Sequence, residues 1–387
     1  MTANTGNAPL ELARTDAIRA SGWGHTVRIV QPRNFTFWVM VFLFIAGIAN
    51  FYADIQDAIV AYTGSLAQGT AWFAIYGAVI LWIITRLDRY SNIPTNLRVL
   101  TFLFGGLVST FAMSVHFNDA LIAIIGKLAG SDVALDWGPG ITAPISEEIS
   151  KLMPVVLILG IAPRVVRSPL DGMILGMLGG LAFQVFEDVQ YVYTGTANAF
   201  GEPSGGTQVM VLRTVLGATG HWMWSGITGA GLIWLLGRPT VTPRRALGIG
   251  LIVLAMVFHG IWDAARALMG GNDALVYPMY FVLCVVIVVT FVRVYRMAAA
   301  PEQQWTRDIL GPEVAAGVLG AEEVDAIVAT RRERRRFVRS KGSRAERTRA
   351  GNVLEAGLEL ADQLGTDGGV ETPDVRHARA EVTRVRH

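Results

Sequence analysis

Long apolar runs alternate with short arginine-bearing segments from about residue 35 to residue 296. A hydrocarbon core of about 30 Å takes about 20 apolar residues per helix. By that rule the pattern predicts eight spans, roughly 35–53, 71–87, 97–117, 141–161, 170–193, 210–236, 246–269 and 274–296. The apolar stretch 119–129 is too short to cross and reads as interfacial or re-entrant. The spans at 141–161 and 170–193 are weaker, interrupted by glycine, proline and charge, as befits helices shielded by their neighbours. The expected fold is all-α, a polytopic membrane helix bundle of about eight transmembrane helices.

Loop charges orient the bundle. Arg14, Arg19, Arg28 and Arg33 precede the first span, and Arg86, Arg89, Arg98, Arg164, Arg167, Arg238, Arg244 and Arg245 occupy every second loop after it. The intervening loops hold Asp119, Asp132, Asp136 and Glu202, with only Lys127, Arg213 and Arg266 as positives. Under the positive-inside rule both termini are then cytoplasmic, in a multi-pass protein of the plasma membrane. Three parts follow: a cytoplasmic N-terminal segment 1–34, a transmembrane domain 35–297, and a charged cytoplasmic tail 298–387. The N-terminal residues lack a short apolar stretch followed by a cleavage site, so the first span reads as a retained anchor. The tail contains Arg331-Arg-Glu-Arg-Arg-Arg and reads as a solvated segment, the alternative being a partly helical tail lying against anionic lipid. A nucleic-acid partner is not expected of a short tail tethered to a membrane.

Composition agrees: 52% hydrophobic, 17% charged and a mean hydropathy of +0.42 are too apolar for a soluble domain of 387 residues. The single cysteine, Cys284, excludes an internal disulfide.

Against this background several ionisable groups stand out at bilayer depth, where each costs at least about 2.5–3.5 kcal/mol near a helix centre. Glu147, Glu148 and Lys151 lie in the fourth span, Glu187 in the fifth, His221 in the sixth, His259 and Asp263 in the seventh. At 1.5 Å per residue, the assigned orientations put all of them roughly 9–18 Å below the outer surface. One layer in four helices argues for one site. Lys151 stands i+4 from Glu147 and i+3 from Glu148, so it can pair with either. His259 and Asp263 are likewise i,i+4, which lets the carboxylate orient the imidazole. Gly172, Gly176, Gly180, Gly226 and Gly229 provide small faces on which helices approach closely.

Glu147-Glu148-Ile-Ser-Lys151 resembles the EExxK motif of the PrsW family of intramembrane proteases, Phe183-x-x-x-Glu187 its FxxxE motif, His221 its third-motif histidine, and His259-x-x-x-Asp263 its final motif. The match spans about residues 140–265 in the right order, one motif per helix. The wider superfamily includes the CAAX and bacteriocin-processing proteases. The resemblance implies an intramembrane endopeptidase that cuts a single-span membrane protein, such as an anti-sigma factor at its first cleavage site.

Peptide hydrolysis needs an activated water, an oxyanion stabiliser and a proton donor. Glu148 or Glu147 is the expected base, with Lys151 beside it and Asp263 as orienter of His259. A zinc site needs three protein ligands and an open position; Glu148 or Glu187 with His221 and His259 would supply them. A metal-free mechanism, with the histidines as oxyanion donors, uses the same residues. A proton-coupled secondary transporter would also bury such groups, although the motifs show no paired repeat. A non-catalytic scaffold of the same fold is the other alternative.

Overall fold

The computed structural model describes residues 8–387. It is helical throughout: α1 Ala8–Ser21, α2 Phe35–Ala61, α3 Thr63–Leu87, α4 Thr95–Leu103, α5 Val115–Ala129, α6 Ser131–Ile161, α7 Pro169–Asn198, α8 Pro203–Leu216, α9 His221–Leu236, α10 Arg245–Asp263, α11 Ala265–Leu268, α12 Asp273–Ala315, α13 Ala321–Val328, α14 Arg331–Arg339, α15 Arg344–Thr366 and α16 Pro373–Arg386. Among the described residues, β pairing is confined to one bridge between Arg238 and Val241.

Among the described residues, six helices are long and apolar enough to cross a membrane: Phe35–Ala61, Thr63–Leu87, Thr95–Ala129, Pro169–Asn198, Arg245–Asp263 and Asp273–Ala315. Two of the eight expected spans differ in kind. The one at 141–161 lies in α6, which is 31 residues long but carries the Glu147–Glu148–Lys151 charges and Pro139, Pro144 and Pro154. The one at 210–236 is not a continuous helix; it breaks at Gly217–Thr219, a short 3₁₀ turn between α8 and α9. The stretch 119–129 is not a separate re-entrant piece either. It continues the third long helix, Thr95–Ala129, through a π-helical segment, Phe104–Ser114, that joins α4 to α5.

The core sits on α7, whose apolar face is almost wholly enclosed. Glycines let α9 lie against it at backbone distance: a Cβ on Gly172 would stand 2.5 Å from the Gly229 carbonyl oxygen, and one on Gly180 2.6 Å from that of His221. Ser168 starts α7 with a reciprocal capping box to Asp171.

Beyond residue 298 the chain folds rather than remaining a solvated tail. Its charged average hides an apolar stripe at helical spacing, Val353, Leu354, Gly357, Leu360, Ala361 and Leu364 on α15. This stripe shares a core with Ile309 and Leu310 of α12, Ile327 of α13, Val375 of α16 and Ala17 of α1. Arg14 of α1 donates to Glu313 (2.9 Å), which also pairs with Arg379 of α16 (2.8 Å), so the N-terminal helix is part of the same unit. The unit docks on the bundle through the α3–α4 loop, where Asn92 donates to Asp362 (2.6 Å), and through Ser168, which donates to Glu302 of α12 (2.6 Å). The α6–α7 and α9–α10 loops are on this side as well: Arg167 donates to the Ala20 carbonyl at 3.2 Å and Thr240 to the same carbonyl at 3.5 Å.

Candidate active site

Four helices deliver seven ionisable groups to one enclosed volume. The i,i+1,i+4 spacing of α6 directs Glu147, Glu148 and Lys151 inward, with 4%, 0% and 0% exposure. Glu187 comes from the middle of α7, His221 is the first residue of α9, and His259 and Asp263 occupy the last turns of α10. All seven residues expected from the sequence therefore meet. The cluster opens at Asp263, the most exposed of the seven, whose side chain is 24% accessible.

The Lys151 ammonium sits at the centre, 2.8 Å from Glu148 Oε1, 3.4 Å from Glu147 Oε2 and 2.7 Å from His221 Nδ1, over the Phe183 ring. A cation so enclosed is held only because two carboxylates and an aromatic face replace its water. Each imidazole has a carboxylate at its back. Glu148 Oε1 lies 3.1 Å from His259 Nδ1, and Glu187 Oε2 lies 3.0 Å from His221 Nε2. Such contacts fix ring orientation and tautomer and turn the opposite nitrogen toward the centre of the cluster. Those opposite nitrogens face each other across Glu147: its Oε2 is 3.9 Å from His221 Nδ1 and 3.6 Å from His259 Nε2. Asp263 Oδ2 also reaches His259 Nε2, at 3.1 Å. Trp224 packs against the His259 ring, centroids 4.7 Å apart.

The placement departs from the sequence expectation in which carboxylate does what. Glu148 and Glu187, the alternatives for the third place in a zinc site, lie behind the imidazoles. Glu147 shares the front with both histidines, and one ligand atom from each of these three lies within 4.8 Å of the others. Asp263, expected at the back of His259, lies at its front. Adjacent residues on a helix point about 100° apart, so the sequence alone cannot assign front and back to Glu147 and Glu148.

The cluster passes a test for a divalent ion. Two imidazoles and a carboxylate are a common zinc donor set. Ligands about 2.0–2.2 Å from a tetrahedral ion stand roughly 3.3–3.6 Å apart, close to the 3.6 and 3.9 Å found here. Glu148 Oε2, also buried, has no hydrogen-bond partner among the described residues.

Three neighbours were not foreseen. Asn118 of α5 donates to Glu147 Oε1 at 2.9 Å, fixing the carboxylate from outside the four motifs. Arg213 of α8 pairs with Glu187 and, at 2.5 Å, with Asp188. Trp224 caps His259. Asn118 lies beside a stretch read as interfacial and Arg213 read as a stray loop charge; a polar residue at the depth of the motifs was the available signal.

A membrane-embedded helical bundle that holds two carboxylate-backed histidines against an acidic side chain is built as a hydrolase working inside the bilayer. The model of the PrsW family intramembrane metalloproteases matches residues 93–292, more than half of the chain, and the chain belongs to that family. It is thus a peptidase and a multi-pass membrane protein. Neither the curated proteins nor the solved structures yield a match. The matched region ends before the folded C-terminal unit.

Proposed function

We propose that the protein hydrolyses a peptide bond of a single-span membrane protein near the outer leaflet, and that Glu147, His221 and His259 form the reacting centre. The observation that carries this is the approach of Glu147 Oε2 to His221 Nδ1 and His259 Nε2, with each ring held from behind by its own carboxylate. These three atoms would hold the divalent ion of a metalloprotease, zinc being the choice their chemistry favours. Bound there, the ion would lower the pKa of a water and polarise the scissile carbonyl. Asp263 Oδ2, at the front and the most exposed, takes the proton of the attacking water and returns it to the leaving amine. Glu148 and Glu187 orient the imidazoles, Asn118 holds Glu147, and Lys151 neutralises the acidic core.

One contact favours a second reading. The Lys151 ammonium already occupies His221 Nδ1 at 2.7 Å. In a metal-free arrangement Glu147 itself takes the proton of the water, while His259 and the Lys151 ammonium donate to the oxyanion and His221 Nδ1 accepts from Lys151.

The outer-leaflet depth rests on loop charges. It accords with α1 of the C-terminal unit lying against the loop that leads into α10, through Thr240 and the Ala20 carbonyl, whereas Asp263 lies at the far end of that helix. Both termini would then be cytoplasmic and the bundle would lie in the plasma membrane, with α6 and the α8–α9 pair completing eight crossings. The parts are a terminal segment 1–34, a protease domain 35–297 and a C-terminal region 298–387, in which the exposed arginines of α14 would meet anionic lipid. By resemblance the substrate is an anti-sigma factor, cut first at this site. Zinc analysis of purified protein separates the two readings. The metal reading expects about one zinc per chain in wild type and none in Glu147→Gln or His259→Ala. Absence of zinc from a wild type that still cleaves supports the metal-free reading.

A further inference from the structure

Residues 213 and 221 would stand about 12 Å apart along an unbroken helix at 1.5 Å per residue. In the structure both reach the same atom, Glu187 Oε2, Arg213 through Nη2 and His221 through Nε2 at 3.0 Å. The break at Gly217–Thr219 makes this possible, since it folds the end of α8 back toward the start of α9. Gln184 of α7 pins the break by donating to the Gly217 carbonyl (2.8 Å), and a Cβ on Gly217 would lie 2.8 Å from the Gln184 amide nitrogen. Arg213 is further held by Asp188 (2.5 Å), by the Tyr191 ring beneath it (4.4 Å), and indirectly by Trp72, which donates to Thr214 at 2.8 Å.

We propose that Arg213 is a positioning residue of the protease: it fixes Glu187 Oε2, and through it the His221 ring, so that Nδ1 faces Glu147. The inference rests on the reading of Glu147, His221 and His259 as the reacting centre. Its physical basis is charge and geometry. Glu187 and Asp188 are adjacent, enclosed carboxylates that repel one another unless a cation lies between them. A guanidinium offers several donors in a rigid fork and can serve both acids at once, which an ammonium does less well. Without it, Glu187 is free to turn away, and His221 loses the acceptor that sets its ring.

The test compares Arg213→Gln, Arg213→Lys, Glu187→Gln and the double variant Arg213→Gln/Glu187→Gln in the full-length protein, with His259→Ala as a control for the underlying reading. Three quantities are read: kcat and KM on a cleaved single-span substrate, zinc affinity of the metal-stripped protein, and melting temperature in detergent. Removing a partner of a ligand's outer contact commonly costs 10–100-fold in metal affinity or activity. Arg213→Gln is expected to lower kcat by about that factor with KM little changed, and to weaken zinc. Arg213→Lys should recover part of the loss, and the double variant should be no worse than Glu187→Gln alone. A lowered melting temperature with kcat and zinc affinity unchanged would make Arg213 merely structural and overturn the proposal. Full additivity of the two substitutions would overturn it too. If His259→Ala itself cleaves normally, the fault lies in the reacting centre and not in Arg213.

Discussion

Lys151 shows how far the site depends on single side chains. Its ammonium is fully buried between Glu147, Glu148 and His221. Removing one partner of a buried ion pair typically costs about 3–5 kcal/mol, because the other charge is left uncompensated. Lys151→Met is therefore expected to destabilise the bundle by that order, read as a fall in the detergent melting temperature. A shift corresponding to less than about 1 kcal/mol would mean that the carboxylates are not held as charges here. Asn118 is a milder case: Asn118→Ala removes the donor to Glu147 Oε1 and should lower kcat by about 10–100-fold with the fold intact. Unaltered cleavage would show that Glu147 needs no such support. At this scale the sequence was legible where a residue type violated its surroundings. Glu147, Glu148, Lys151, Glu187, His221, His259 and Asp263 all stand in apolar runs. What could not be read was which carboxylate oxygen meets which imidazole nitrogen, since that depends on helix rotation and on contacts between helices.

Among the helices, the glycine faces bring the motifs together. Gly180 lies where a Cβ would be 2.6 Å from the His221 carbonyl oxygen, so Gly180→Ala must push α9 off α7 at the residue that bears the imidazole. Cleavage should drop at least tenfold while circular dichroism stays helical. Gly250, an exposed position on α10 with nothing near its would-be Cβ, is the control. Gly250→Ala should be neutral or slightly stabilising, since alanine is the better helix former by about 1 kcal/mol. Equal effects at the two positions would refute close packing as the reason for the glycines. Long apolar runs made most of these helices foreseeable. The break at Gly217–Thr219 was not, because glycines in an apolar span read equally as packing positions. The π-helical join at Phe104–Ser114 was equally hidden, for it lies in a run that length alone divides at residue 117.

For the whole molecule, the C-terminal region was misjudged from its mean polarity: the stripe on α15 and the Arg14–Glu313–Arg379 network make it a folded unit with α1. Replacing buried Leu360 by Asp should unfold that unit and open its chain to limited proteolysis, leaving the bundle helical; resistance equal to wild type would contradict a shared core. The charge-derived topology is checked by single cysteines in a Cys284→Ala background. An impermeant thiol reagent should label position 200, fully exposed in the α7–α8 connection, in intact cells and position 344 only after permeabilisation. The reverse pattern would invert the membrane orientation. The most direct trial of the reacting centre is cleavage of a co-expressed panel of tagged single-span proteins, with the cut mapped by mass spectrometry in wild type, Glu147→Gln, His221→Ala and His259→Ala. One specific cut is expected near the extracytoplasmic end of the substrate helix, lost in all three variants while each still folds. A cut that persists at the same bond in any of them would contradict the assignment of Glu147, His221 and His259.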